Sequence, residues 1–255
     1  MKKNLYYRLF FQRQNRFKEM LTDLFFSLAS WPRLLLEVFI RKNFGERYFS
    51  VSTAIILTVL LAIFPYLIES TLIFGFGRNN VSDVFSENIS WYLFLVAFVY
   101  SCFLRWQEIR RLPSVFDFGR FSLSTGIVHP RFYAISLGGK PVDIRTIETV
   151  LEPGFFFLVG LVLWWMDQSV GMLLLVCSVL YSLSYVAAYK KGDDYIMDII
   201  DKRILNEEMV STFVDELDPS KTRGVHFYGR RPADPETRRM VADLFTEEDD
   251  VVEAR

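Results

Sequence analysis

Motifs for chemistry are scarce in this chain. There is no GxxxxGK[ST] phosphate loop, no GxSxG elbow, no HExxH and no paired CxxC, which removes the sequence grounds for most nucleotide, acyl-transfer, zinc and dithiol enzymes. The only histidines, His129 and His226, are far apart and have no metal-ligand partners beside them. His129-Pro130 reads as a turn. The only cysteines, Cys102 and Cys177, both fall inside apolar segments, where they read as small core hydrophobes rather than a disulfide framework. No enzyme activity, cofactor or metal site is expected. Internal repeats are absent too, and the two helical hairpins described below share no similarity, which argues against an inverted-repeat carrier.

What the chain does have is apolar length. Hydrophobic residues make up 51% of it and the mean hydropathy is +0.22, values that point to a membrane protein. Four stretches suit lipid: residues 51 to 74, about 89 to 106, about 151 to 166, and 170 to 189. The first would reach about 36 Å as a helix, against a hydrocarbon thickness of about 30 Å. Pro65 is placed to kink it. The last two are separated only by Asp167, Gln168 and Ser169, which requires an antiparallel hairpin.

Residues 21 to 40 form a fifth apolar run, broken by Asp23, Pro32, Arg33 and Glu37. Each mid-bilayer charge costs roughly 2.5–3.5 kcal/mol on insertion scales, so the run is expected to lie in the interface rather than to span. The opening MKKNLYYRLFFQRQNRFKEM has the positive start of a signal peptide but no adequate apolar stretch or cleavage site, and is expected to be retained.

Charge sets the orientation. Residues 1 to 50 carry ten Lys or Arg against four Asp or Glu, whereas residues 192 to 255 carry nine against seventeen. Arg33, Arg41, Lys42 and Arg47 precede the first span; the loop after it has only Arg78; Arg105, Arg110, Arg111, Arg120, Arg131, Lys140 and Arg145 crowd the next; Lys190 and Lys191 follow the last. The positive-inside rule places both termini in the cytoplasm of a plasma (bacterial inner) membrane protein. Trp91, Trp164 and Trp165 then fall at the outer interface, and Tyr48, Trp106 and Tyr189 at the inner one.

The expected fold is an all-α integral membrane protein. A basic N-terminus with an interfacial helix (1–50) leads to a first transmembrane hairpin (51–106), a cytoplasmic loop with a small β-hairpin (107–149) and a second transmembrane hairpin (150–190). An amphipathic helix (191–217) and a charged tail (218–255), expected to be flexible alone but with one candidate docking helix at the apolar patch Met240, Val241, Leu244 and Phe245, complete it. In the loop, FSLSTGIVHPRFYAISLGGKPVDI gives two β-prone runs separated by His129-Pro130, then a Gly138-Gly139 turn. The amphipathic helix puts Ile196, Ile199, Ile200, Ile204, Leu205, Met209, Phe213 and Leu217 at helical spacing among acids.

Few polar groups stand at mid-depth. Glu69, one turn after Pro65, is the intramembrane ionisable candidate, although its place near the end of the span lets it reach water. Glu152 is placed to pair with Arg105 or Arg145 at the inner interface. Ser178, Ser182 and Ser184, with Tyr181 and Tyr185, give the fourth span a small polar face, suited either to a partner interface or to packing within the protomer. KTRGVHFYGRR mixes basic and aromatic residues, but the acids around it set a field that repels phosphate, so nucleic acid is not an expected partner. Asn80-Val-Ser and Asn88-Ile-Ser match the glycosylation pattern too close to the membrane to carry weight.

The leading expectation is a non-enzymatic membrane anchor or scaffold subunit. It would contact lipid and dock other membrane or cytoplasmic proteins in an oligomer or hetero-complex, such as a secretion or conjugation machine. The interface candidates are Ser178, Ser182, Tyr185, Ile196, Ile200, Leu205 and Phe213. The alternative is an oligomeric channel or transporter lined by Glu69 and the Ser and Tyr face of the fourth span.

Overall fold

The computed structural model describes residues 16–70, 81–109, 121–137, 139–218, 220–226 and 229–250. About 75% of the described residues are helical, with almost no strand among them, a membrane-compatible all-α class. The elements are α1 (Arg16–Ile40), α2 (Val51–Ser70), α3 (Val81–Glu87), α4 (Ile89–Ile109), α5 (Pro130–Tyr133), β1 (Ser136–Leu137), β2 (Lys140–Pro141), α6 (Ile144–Trp165), α7 (Ser169–Met209) and α8 (Pro235–Asp250). Three of these helices, α4, α6 and α7, are long and apolar enough to cross a membrane; α2 is apolar over the shorter stretch Val51–Leu67. The part of the first expected span from 71 to 74, the loop at 75–80 with Arg78 and Asn80, and the basic first fifteen residues lie outside the described residues.

The chain divides into two compact units, Leu21–Tyr189 and Met1–Met20 with Lys190–Arg255. In the first, α1 changes character along its length. Leu21, Leu24, Leu28 and Trp31 are exposed at helical spacing, whereas Leu34, Leu35, Leu36, Glu37 and Val38 are all buried. A helix covered on every side for a full turn is an interior element, so Glu37 sits inside protein with Arg33 largely covered beside it, whereas Asp23, in the first half of the helix, is exposed.

Helix α2 is tied to α4 by the indole of Trp91, which donates to the Leu61 carbonyl at 2.8 Å, and by the stacked Phe64 and Trp91 rings. Helices α6 and α7 approach backbone to backbone. A Cβ on Gly171 would lie 2.3 Å from the Trp164 amide nitrogen, so only glycine permits this contact. Their turn is Met166–Gln168, with Asp167 at φ 55° and the Gln168 amide donating to the Leu163 carbonyl at 2.9 Å.

The β element differs from the sequence expectation. The first β-prone run pairs with the segment after α1 rather than across His129-Pro130: Gly45 donates to Ser124, Arg47 to Ser122 and Ile127 to Lys42, at 2.9, 2.8 and 2.7 Å. Gly45 is required there, since a Cβ would meet the Ser122 carbonyl oxygen at 2.3 Å. His129 caps α5, its Nδ1 accepting the Arg131 amide, because Pro130 has no N–H to lose at the first helical position. Among the described residues, Ser136–Leu137 and Lys140–Pro141 alone pair as a hairpin, with Gly139 at φ 77°.

Helix α7 runs unbroken for 41 residues, joining the fourth apolar stretch to the amphipathic segment. At 1.5 Å per residue it is about twice as long as a hydrocarbon core is thick, so only its apolar first half can lie in lipid. In the second unit, a π turn at Val210–Val214 follows α7, and Leu205, Phe213 and Ala242 of α8 form a small core with Val214, Val225 and Val241 around it. Arg231 donates to the Thr212 carbonyl at 2.6 Å, and Arg238 binds Glu216 and the Pro232 carbonyl. Residues expected to be a flexible tail thus supply one wall of a packed module; Phe227, Tyr228 and the last five residues lie outside the described set.

Candidate functional site: a buried ionic cluster

Three ladders of four-residue spacing meet inside the first unit. Arg33, Glu37 and Arg41 follow one line at the end of α1; Glu148 and Glu152 stand at the start of α6; Tyr181, Tyr185 and Tyr189 line α7. Residues four apart share a helix face, so each ladder delivers its polar groups to one seam. Glu37, Arg41 and Glu152 are 0% exposed there.

Arg41 is the hub. Its Nε donates to Glu152 Oε2 at 3.0 Å and its Nη2 to the same carboxylate; Nη2 also lies 3.1 Å from Glu148 Oε1. Its Nη1 donates to the Tyr185 hydroxyl at 2.6 Å and to Thr125 Oγ1 at 3.3 Å. The guanidinium stands 4.7 Å from the Tyr185 ring centre. A planar fork with five donors is the side chain suited to bridge two carboxylates and a phenol at once.

Glu37 completes the circuit. It accepts from Tyr185 at 2.7 Å and from Tyr48 at 2.6 Å, and Arg33 Nε lies 3.3 Å from it. Arg33 donates through its other nitrogens to Tyr48 at 2.6 Å and Ser184 at 2.9 Å. Tyr181 donates to Glu152 at 2.7 Å and Tyr189 to Glu148 at 2.5 Å. Three carboxylates face two guanidiniums in this set, and Arg145, 5.1 Å from the Tyr189 ring centre, brings a third positive charge to the Glu148 end.

The start of α6 is shaped to serve the seam. Pro153 has no N–H, so the Thr149 carbonyl one turn earlier loses its helical donor. The helix opens there into a π turn, Ile147–Leu151, and Ser182 Oγ of α7 donates to the Thr149 carbonyl at 2.6 Å in place of the missing N–H. The hydroxyl on one helix replaces the bond that proline removes from the other, and this pins α6 to α7 beside Glu148 and Glu152.

The sequence candidates fall out as follows. On the Ser and Tyr face of α7, Ser178 is buried and donates to the Leu175 carbonyl at 2.8 Å, while Ser182 and Tyr185 make the contacts described above within the protomer. Leu205 and Phe213 are likewise buried, in the core of the second unit. Ile196 and Ile200 are exposed. Glu69 belongs to α2, and its side chain lies outside the described set. Glu152 takes Arg41 as its partner instead of Arg105 or Arg145, because the end of α1 is interior; Arg105 bonds Glu108 at 2.5 Å. The roles of Arg33, Glu37, Arg41 and Glu148 were missed, although their four-residue spacing was a usable signal.

Among the described residues no group of His, Cys, Asp and Glu is arranged to hold a metal ion. Every carboxylate of the cluster has at least two cationic or hydroxyl partners within it, so its chemistry is cohesion: opposed charges and phenols holding α1, α6 and α7 in one register. Comparison with family models, curated proteins and solved structures gives no match.

Proposed function

We propose that this protein is a non-enzymatic anchor or scaffold subunit of a multiprotein assembly in a bacterial inner or similar plasma membrane. Four spans and cytoplasmic termini present its docking surface to the cell interior, and a secretion or conjugation-type machine is a fitting setting. One observation carries the docking role. In the part of α7 beyond Lys190 and Lys191, Tyr195, Ile196, Met197, Ile199 and Ile200 are exposed by 67, 56, 54, 53 and 45% among Asp193, Asp194, Asp198 and Asp201. A contiguous apolar patch on an acidic helix needs cover in water, and a protein partner supplies it. The buried cluster supports the same reading, since its polar groups are occupied in holding the bundle, and the Ser and Tyr face that a conduit would line with is used inside the protomer.

Extraction in gentle detergent followed by mass spectrometry of co-purifying chains tests this. Stoichiometric partners should accompany the wild type and be lost from Ile196→Glu/Ile200→Glu. A pure homo-oligomer that passes ions in liposomes, with the flux stopped by Glu69→Gln, would replace the scaffold by the channel reading. Reporter fusions at residues 80, 130, 168 and 255 check the topology: a cytoplasmic signal at 80 or 168 would mean that residues 21–40 span.

A further inference from the structure

A groove of about 670 Å³ runs along the first unit between α1, α4, α6 and α7. Phe39, Phe94, Phe155, Phe156, Val159 and Leu163 line it, together with Arg131 and Phe132 of α5 and the capping His129. From Phe155 to Leu163 the helix rises about 12 Å, so the groove is elongated along the direction an acyl chain takes in a bilayer. The polar lining residues, His129 and Arg131, belong to one segment, the α5 turn, which packs against the Ile147–Leu151 start of α6, so the α6 side of the groove from Phe155 to Leu163 is apolar and its basic residue comes from α5.

The two polar groups are arranged to donate. His129 Nδ1 accepts the Arg131 amide at 3.3 Å, which puts the proton of a neutral ring on Nε2. Arg131 is exposed and forms no ion pair among the described residues, unlike Arg33, Arg41 and Arg105. A guanidinium with free donors at the mouth of an apolar channel complements a phosphate attached to a hydrocarbon chain. Lipid tails are as apolar as the groove walls, so the hydrocarbon part offers fit but little preference, and selectivity must come from the charged end.

We infer that this groove binds a glycerophospholipid with an anionic headgroup, one acyl chain lying against Phe155, Phe156 and Val159 and the phosphate held by Arg131. The site is independent of the partner-docking role, needing only that the first unit sits in a bilayer. Bound lipid would fill the wedge between α1 and α6 and so buttress the same helices that the ionic cluster joins.

The test uses the full chain in phosphatidylcholine vesicles carrying a minor fraction of spin-labelled phosphatidylglycerol or spin-labelled phosphatidylcholine, read by the motionally restricted component of the spectrum. Phosphatidylglycerol should associate more strongly, and Arg131→Gln should cut that preference roughly fivefold, the effect of one basic group near an anionic lipid. Arg47→Gln, an exposed arginine away from the groove, should leave it unchanged. Val159→Trp should fill the groove and remove the restricted phosphatidylglycerol, whereas Leu158→Trp, the adjacent residue outside the groove, should not. Equal association of the two lipids in wild type, a preference that survives Arg131→Gln, or equal losses in the paired controls would each overturn the inference. Arg131 is exposed, so its arm decides the matter even if Val159→Trp fails to fold.

Discussion

Replacing Arg41 by methionine isolates what the buried cluster contributes. The aliphatic stem is kept, but Glu152, fully buried, is left with the Tyr181 hydroxyl alone, and Glu148 with Tyr189. An uncompensated buried charge typically costs about 3–5 kcal/mol, and this substitution strands parts of two. Glu152→Leu removes the opposite partner yet leaves Arg41 with Glu148 at 3.1 Å, Tyr185 and Thr125. It should cost less, about 1–3 kcal/mol. The double variant Arg41→Met/Glu152→Leu exchanges an ion pair for two apolar groups, so its cost should fall below the sum of the singles by about 2 kcal/mol. Reversible unfolding in mixed micelles, driven by rising dodecyl sulfate and followed by tryptophan fluorescence, gives each value. Arg47→Met, at an exposed site, serves as the reference and should stay within about 0.5 kcal/mol of wild type. Additivity of the two singles within about 0.5 kcal/mol would refute the coupling, and an Arg41→Met cost near that of Arg47→Met would refute the burial of the cluster altogether.

Other consequences can be measured in the same system. Ser182→Ala should cost about 1 kcal/mol in the native background but only a few tenths when combined with Pro153→Ala, because the restored amide at 153 can bond the Thr149 carbonyl itself; equal costs in both backgrounds would show that Ser182 acts otherwise. Gly171→Leu should destabilise by more than about 2 kcal/mol, since the new Cβ meets the Trp164 backbone, which cannot move aside as a side chain can. In the second unit, hydrogen bonds from Arg223 hold the Glu207 and Glu208 carboxyls below their ordinary range. Carboxyls depressed in the folded state stabilise it at pH above their unfolded value of about 4.5, and that contribution is lost as pH falls through the folded values. The hydrogen-exchange protection factors of residues 203–226, taken against the intrinsic rate at each pH, should therefore fall on acidification below that point, and Arg223→Gln should flatten the dependence.

Much of the helical framework was legible because long apolar runs have few alternatives. The segments around 89–106 and 151–166 and the three-residue turn before α7 follow from hydropathy and chain length, which need no knowledge of neighbours. Other features depended on contacts that sequence windows do not contain. The β-prone run at 121–128 carries a strand preference but no label for its partner; Gly45, the residue that lets another backbone come within hydrogen-bonding distance, was the only local hint of it. The boundary drawn after residue 190 followed a change from apolar to charged side chains, yet the backbone of α7 runs on through it, since Lys190 to Tyr195 contains no proline and the lowered propensity of Gly192, Asp193 and Asp194 is not enough to end the helix. For the tail, a count of charges gave no weight to Ala242, a small residue whose burial against Leu205 and Phe213 follows from tertiary packing.

The cluster shows why counting charges misjudges a helix such as α1. An insertion scale treats Arg33 and Glu37 as separate penalties, each measured against lipid with no partner. Here the reference is different: at four-residue spacing the two neutralise one another along the helix, Arg41 continues the line, and α6 and α7 return two carboxylates and three phenols at the same spacing. A charge that meets its complement inside a bundle costs its desolvation less the pairing energy, and the remainder is offset only when all the partners arrive together. Such a seam is therefore stricter about register than an apolar one. A slide of α1 by one residue along α7 would keep hydrophobic contacts of similar size but would part Arg41 from Glu152 and Glu37 from Tyr185 at once. The ionic ladders thus define which single arrangement of three helices is stable, and the apolar residues around them, among them Leu36, Val38 and Phe156, supply the burial that makes any mismatch expensive.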